Sequence, residues 1–146
     1  MMKKIFVVDF DNTLTVGEPT HLIPADHRDV AAWEPFLEAS ARLMPRTKTI
    51  DILLGTDAQI VILTARSLIR VPNIKAYLDQ HGISHLISAI VGRHDDDMDT
   101  PTDQLKARYL KAWMSRGFEI VAVMDDHTGV LEQAAKLGLK TINPLD

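Results

Sequence analysis

The sequence of 146 residues has no cysteine, which excludes disulfides, thiolate catalysis and cysteine-bound zinc and suits a reducing compartment. It has no basic excess: 16 Lys and Arg stand against 20 Asp and Glu, a formal charge of −4. Dispersed cations on an acidic chain do not make the basic stripe of a dedicated nucleic-acid binder. No apolar run approaches the length of a membrane-spanning helix. The opening Met1-Met2-Lys3-Lys4 has the charge of a secretory n-region, but only Ile5 to Val8 separate it from Asp9, too short for an h-region. These absences predict a soluble, cytoplasmic protein, and the length suits one globular domain over 1–146. Glutamate is scarce too, at 5 against 15 aspartates. Glu favours helix interiors, whereas Asp favours caps, turns and metal shells, so the imbalance predicts Asp-built sites at strand and helix ends.

What is present is an alternation. Ile5 to Val8, Ile60 to Leu63, Ile87 to Val91 and Ile120 to Met124 are continuous apolar runs rich in β-branched residues, as expected of strands covered on both faces of a parallel sheet. Between and after them, helices are predicted over Pro45–Leu54, Pro72–Gln80, Thr102–Ser115 and Thr128–Leu137, with a short last strand at Lys140–Ile142. Gly82, Gly117 and Gly138 suit C-terminal stops, and Thr102 and Thr128 suit N-caps. The fold class predicted is α/β: a three-layer, Rossmann-like parallel sheet. Residues 14–44 break the alternation. They hold a predicted helix, Glu34–Leu43, and read as a small helical cap insertion over the C-terminal sheet edge, where open α/β folds place ligands.

The chemistry gathers where strands end. In Asp9-Phe10-Asp11-Asn12-Thr13 two carboxylates stand at i and i+2 as a buried strand finishes, where both can point the same way. One can act as nucleophile while the other handles protons, or both can approach a divalent cation. Composition alone yields about 0.2 copies of Asp-x-Asp-x-[Thr/Val], so the other strand ends must support the reading. Ile60–Leu63 finishes in Thr64-Ala65-Arg66, a hydroxyl, a turn of backbone N–H groups and a guanidinium suited to phosphate oxygens. Ile120–Met124 finishes in Asp125-Asp126, adjacent carboxylates that are costly unless a cation or donors neutralise them. Lys106 supplies a positive charge early in its helix. Singly, Thr64 and the Asp pair also read as caps and Lys106 as a solvated lysine; their joint order is the signal.

That order resembles the haloacid dehalogenase (HAD) superfamily of phosphatases, over nearly the whole chain apart from residues 14–44. The resemblance implies Asp9 as nucleophile, forming an aspartyl-phosphate, and Asp11 as the group that protonates the leaving oxygen and then activates water. It implies Thr64 and Lys106 on the phosphoryl oxygens, and Mg²⁺ held by Asp9, the carbonyl of Asp11 and Asp125, with Asp126 in support. Thr64-Ala65-Arg66, Arg93 with its acidic loop, Asp103-x-x-Lys106 and Met124-Asp125-Asp126-His127-Thr128 are also similar to the 3′-phosphatase domain of phage-type polynucleotide kinase-phosphatase. That likeness implies Arg66 on the substrate, a role for Asp103 and a nucleic-acid 3′ end as partner. This sequence departs from it in a longer 14–44 segment and in lacking an arginine just after the first motif. No Gly-x-x-x-x-Gly-Lys-[Ser/Thr] occurs, so no kinase half is read in this chain.

Two other readings compete. A small-molecule phosphatase acting on nucleotides or sugar phosphates would use residues 14–44, with His21, His27, Arg28 and Trp33, as a lid. By residue type, Trp33 reads as core more readily than as a base-stacking face, and the two histidines as surface. The run Asp95-Asp96-Asp97-Met98-Asp99 reads as a solvated loop that would repel long polyanions. Its likeness to a calcium loop fails, because Thr100 stands where Gly is needed and Lys106 where Glu is needed. A phospho-Asp signalling receiver shares an acidic pair, a Thr and a Lys, but places the acidic pair first and the lysine last. Oligomeric state is not readable from the apolar faces.

Overall fold

In the computed structural model, which describes residues 3–146, the predicted apolar runs form five strands. They are β1 Lys4–Val8, β2 Gln59–Ser67, β3 Ile87–Arg93, β4 Glu119–Met124 and β5 Thr141–Ile142. Met1-Met2 of the n-region reading lie outside the described residues. The strands make one sheet in the order β3-β2-β1-β4-β5, with every pairing parallel. Helices α1 Glu34–Ala41, α2 Thr47–Leu54, α3 Val71–Gln80, α4 Thr102–Ser115 and α5 Thr128–Lys136 accompany it.

Side chains alternate across a strand, so a continuous apolar run feeds two cores at once. Phe6 and Val8 of β1 pack with Leu53 of α2 and Ile74, Tyr77 and Leu78 of α3. Ile5 and Val7 face the other way, onto Leu110 of α4 and Val130 and Ala134 of α5. The result is the predicted three-layer α/β fold. After β1 the chain builds outward through β2 and β3, then returns to lay β4 on the other side of β1. That reversal opens a crevice at the C-terminal ends of β1 and β4. Among the described residues no helix is long and apolar enough to cross a membrane.

Three local expectations differ from the structure. The hydroxyl of Thr102 does not cap α4, because it accepts from Arg93 Nη2 at 3.1 Å. Thr128 is the first residue of α5, and the cap is His127, whose Nδ1 accepts from the Val130 N–H at 3.3 Å. The turn expected at Thr64-Ala65-Arg66 is instead strand, since β2 runs on to Ser67 with its register against β3 broken between Leu63 and Ser67. Gly92 eases this: a Cβ there would lie 3.1 Å from the Arg66 carbonyl oxygen and 3.1 Å from Leu68 Cα, tight enough that the neighbouring backbone would have to give by a few tenths of an ångström.

The segment after β1 departs and returns at one place. Thr15 and Pro45 form an antiparallel bridge, flanked by Val16 N–H to Met44 O at 2.8 Å and Arg46 N–H to Leu14 O at 2.7 Å. In between lie two 3₁₀ turns, Thr20–Leu22 and Ala31–Trp33, and α1, which ends at Ala41 before the predicted Leu43. Phe36, Leu37 and Ser40 of α1 are buried. The Tyr77 hydroxyl, pushed up to about 12 by burial, donates to Leu43 O at 2.8 Å, and Arg70 Nη2 donates to Val30 O at 2.7 Å. Both contacts seat the segment on the start and middle of α3.

Candidate active site

The end of β1 is built to present carboxylates. Asp9 N–H bonds to Met124 O at 2.9 Å, extending the ladder one residue. The chain then coils: the N–H groups of Thr13, Leu14 and Thr15 all converge on Phe10 O. Asn12 takes a left-handed φ of 59°, a conformation asparagine tolerates better than most residues, and its N–H reaches Thr15 Oγ1 at 2.9 Å. Asp9, Asp11, Lys106, Asp125 and Asp126 thereby line one cleft of about 430 Å³. Asp103, implied by the phage-type likeness, is not among the residues lining it.

Lys106 is the hub. It projects from the first turns of α4, 2% exposed, so the solvated-lysine reading is excluded. Its Nζ donates to Asp9 Oδ1 at 2.9 Å and Asp125 Oδ2 at 2.7 Å. Burial works against its charge, but the Asp9 and Asp125 carboxylates outweigh burial and raise its pKa. For Asp9 the balance tips the other way. Burial, with help from Asp125, Asp126 and Asp11, pushes its carboxyl well above the usual range despite Lys106. Thr13 Oγ1 sits 3.2 Å from both Asp9 Oδ2 and Asp126 Oδ1 and accepts the Asp126 N–H. Asp125 Oδ1 takes the His127 N–H at 2.9 Å, and Asp126 Oδ2 takes Asn12 Nδ2 at 3.1 Å.

One oxygen each from Asp9, Asp125 and Asp126 lie within 4.8 Å of one another. When ionised, these three carboxylates and the Lys106 ammonium leave a net charge of −2. Hard carboxylate oxygens gathered around such a deficit suit a divalent cation. The side chain of Asp11, whose carbonyl the sequence placed at the metal, does not join the cluster. It forms a fork with Arg66, Nε to Oδ2 at 2.8 Å and Nη2 to Oδ1 at 2.6 Å. Arg66, expected on the substrate, is therefore committed here to Asp11. Ser40 of α1 takes a further Nη2 bond at 2.7 Å, and the guanidinium lies 4.9 Å from the Phe10 ring and 5.3 Å from the Phe36 ring. Thr64, expected on the phosphoryl oxygens, is buried and is not among the residues lining the cleft, its Oγ1 accepting the Arg66 N–H at 3.1 Å. Ala65 lines the cleft and lends its carbonyl to Arg93 Nε at 3.0 Å.

Arg93 does structural work. Its Nη1 also holds the carbonyls of Asp97 and Thr100, each at 2.6 Å. The acidic run is accordingly no free loop: Asp95–Asp97 form a 3₁₀ turn, Arg108 pairs with Asp97 at 2.7 Å and Arg28 with Asp99 at 2.6 Å. Four contributors escaped sequence reasoning. Asn12 carried the one available signal, its left-handed tendency. Arg46, which supplies Nη2 to Asn12 O at 3.2 Å and Asn12 Oδ1 at 3.1 Å, reaches the first motif through space rather than sequence. Ser40 and Glu18 sit in the irregular segment. Glu18 lines the cleft, and its carboxyl is raised to about 7 by partial burial, with Asp11 and Asp126 adding to the shift.

No protein-family model and no curated protein matches the sequence. Solved structures do. The hydrolase from Streptococcus pneumoniae TIGR4 is 13% identical with a TM-score of 0.55, over 97% of this chain and 92% of that one. The HAD domain of the Legionella pneumophila effector Lem4, an inactive mutant, is 13% identical with a TM-score of 0.54, over 98% and 86%. The fold is HAD-like. A chain of the Pnkp1/Rnl/Hen1 RNA repair complex shares this fold at 14% identity and a TM-score of 0.67, covering 97% of this chain. The present chain spans 43% of that one, less than half its length.

A carboxyl at about 7 in the folded state, against its ordinary 4.5, binds its proton more tightly folded than unfolded. Its cost to stability is absent below about pH 4.5 and complete above about pH 7. In EDTA, thermal melts should show Glu18→Gln gaining stability over the unaltered protein as pH rises from 5 to 8, with the two matching at pH 4. Parallel curves across that range would contradict the placement of Glu18.

Proposed function

We propose that the protein is a Mg²⁺-dependent phosphomonoester hydrolase working through an aspartyl-phosphate on Asp9, with residues 14–44 as the small cap of a single-domain enzyme. The observation that carries the reading is the convergence of Asp9, Asp125 and Asp126 within 4.8 Å around a buried lysine, at the crevice where the sheet reverses. Phosphoryl transfer needs positioning and charge neutralisation more than elaborate covalent chemistry, and this cluster offers both. The three carboxylates would hold Mg²⁺, which when bound would offset their charge and draw electron density from the phosphoryl group.

The remaining work falls to the chain. A carboxylate oxygen of Asp9 attacks phosphorus while the bond to the ester oxygen breaks. The departing oxygen takes its proton from Asp11, because an alkoxide leaves poorly without one. Water then attacks the aspartyl-phosphate, giving its proton to Asp11, and inorganic phosphate departs as Asp9 is restored. Lys106 lies within reach of Asp9 and of the oxygens of a phosphoryl group placed there, while Ala65 of β2 lines the same cleft. For Asp11 to carry a proton its fork with Arg66 must open, which frees that guanidinium for the substrate.

The preferred substrate is the 3′-phosphate of a nucleic-acid end. Support comes from the motif likeness to polynucleotide 3′-phosphatases and from the fold shared with a chain of an RNA repair complex. A second reading, a free nucleotide, is favoured by a cavity of about 580 Å³ beside the cleft, the size of a small-ligand pocket. Activity at fixed salt on 3′-phosphorylated oligonucleotides, 5′-phosphorylated oligonucleotides, mononucleotides and sugar phosphates separates the readings, with the first expected to be the best substrate. Best turnover on sugar phosphates would exclude both.

Asp9→Asn should abolish Mg²⁺-dependent hydrolysis of p-nitrophenyl phosphate while leaving the circular dichroism spectrum unchanged, and a variant keeping most of its kcat would sink the assignment. Steady turnover by the unaltered protein, rather than one stoichiometric burst, excludes the receiver alternative. Asp11→Asn should slow alkyl esters far more than activated aryl esters, by about 10²–10⁴-fold for a lost general acid; equal losses on both would remove Asp11 from that role.

A further inference from the structure

Resting on that reading, we infer that the larger cavity beside the cleft is the leaving-group site and takes the base of one nucleoside. The cavity shares Asp11, Glu18, Ala65 and Thr102 with the catalytic cleft, so a group seated in it is joined directly to a phosphoryl group at Asp9. Its volume of about 580 Å³ suits one drug-sized unit rather than a strand.

Its walls specify the chemistry. Ile23, Val30, Trp33, Phe36, Ile69 and Met98 supply apolar surface, which disfavours a polyol. Trp33 is held in place from two sides: its Nε1 donates to His27 O at 2.8 Å, and Phe36 meets it edge-on at 5.3 Å and 88°. The indole is thus a pre-set aromatic wall, half-buried rather than core, of the kind on which bases stack whatever their sequence.

The charges narrow the ligand further. Four arginines line the cavity, and each is already engaged: Arg28 by Asp99, Arg66 by Asp11, Arg70 by Val30 O and Arg93 by three carbonyls and Thr102. Arg66, once its fork opens, faces the phosphoryl group at Asp9, and the other three are held by partners within the chain. Asp95 and Asp99 also line it, and their charge disfavours an anionic group inside the cavity, so the phosphodiester of a strand end would stay outside it. A neutral, flat heterocycle carrying a single phosphate nearby meets all of these conditions. The terminal nucleoside of a nucleic acid and a free nucleotide share that chemistry.

Calorimetric titration of the unaltered protein in EDTA with unphosphorylated adenosine and thymidine tests the site without catalysis. Saturable binding is expected, with Trp33→Ala weakening it about tenfold or more, the scale of one lost stacking contact. A Trp113→Phe variant, which leaves Trp33 as the sole indole, should show nucleoside-dependent fluorescence quenching, and glucose should give none. Absence of saturable nucleoside binding alongside steady p-nitrophenyl phosphate turnover would overturn this inference and leave the phosphatase reading standing. Nucleoside binding without any turnover would do the reverse. Equal affinity for a nucleoside 3′-phosphate and a 3′-phosphorylated oligonucleotide identifies the strand end as an accepted source. Much weaker oligonucleotide binding identifies the free nucleotide.

Discussion

Everything at the crevice depends on one ammonium group held out of water. Lys106 is 2% exposed, bonded to Asp9 at 2.9 Å and Asp125 at 2.7 Å. Each of the three residues belongs to a different element: α4, the end of β1 and the end of β4. Removing the lysine would leave the buried Asp9 and Asp125 carboxylates uncompensated, a change that costs about 3–5 kcal/mol, so the cluster ties helix to sheet as well as gathering charge. The fold stabilises an arrangement that would be unfavourable in isolation. The carboxylates outnumber the lysine, and that surplus of negative charge is what a cation and a phosphoryl group would meet.

A second ion pair links chemistry to the segment above it. Asp11 and Arg66 form a two-point fork, and Ser40 and Phe36 of α1 help to fix the guanidinium. The group proposed to move protons is therefore positioned by a helix that contributes nothing to the sheet. The same helix and the turn before it supply the Phe36 and Trp33 walls of the larger cavity. The Arg66–Asp11 fork and the shape of the larger cavity thus both depend on the segment between β1 and α2.

The layers of the fold were legible because continuous apolar runs have few alternatives to a doubly covered strand. Ile5–Val8, Ile60–Leu63 and Ile120–Met124 read correctly for that reason, and Gly82, Gly117 and Gly138 do take positive φ after their helices. The errors lie where a tertiary partner captured a side chain. Thr102 has the right residue type for a cap, yet Arg93 occupies its hydroxyl, and His127 caps where Thr128 was expected. The end of β2 looked like a turn because the apolar run stops at Leu63; the missing side chain of Gly92, distant in sequence, lets the backbone continue alongside without crowding. In the site, residues standing at strand ends were visible, but their pairing was not. Nothing in the sequence joins Arg66 to Asp11 across 55 positions or brings Arg46 to Asn12.

The bridge between Thr15 and Pro45 sets the segment between them apart from the sheet. A detour whose ends lie side by side can lengthen, shorten or be exchanged with little change in the entropy of closing it, and no strand register shifts when it does. The sheet and its carboxylates can then stay in place while the detour, and the cavity wall it supplies, changes. Ser40 and Phe36, which hold Arg66 from within the detour, are the points at which the two remain tied together.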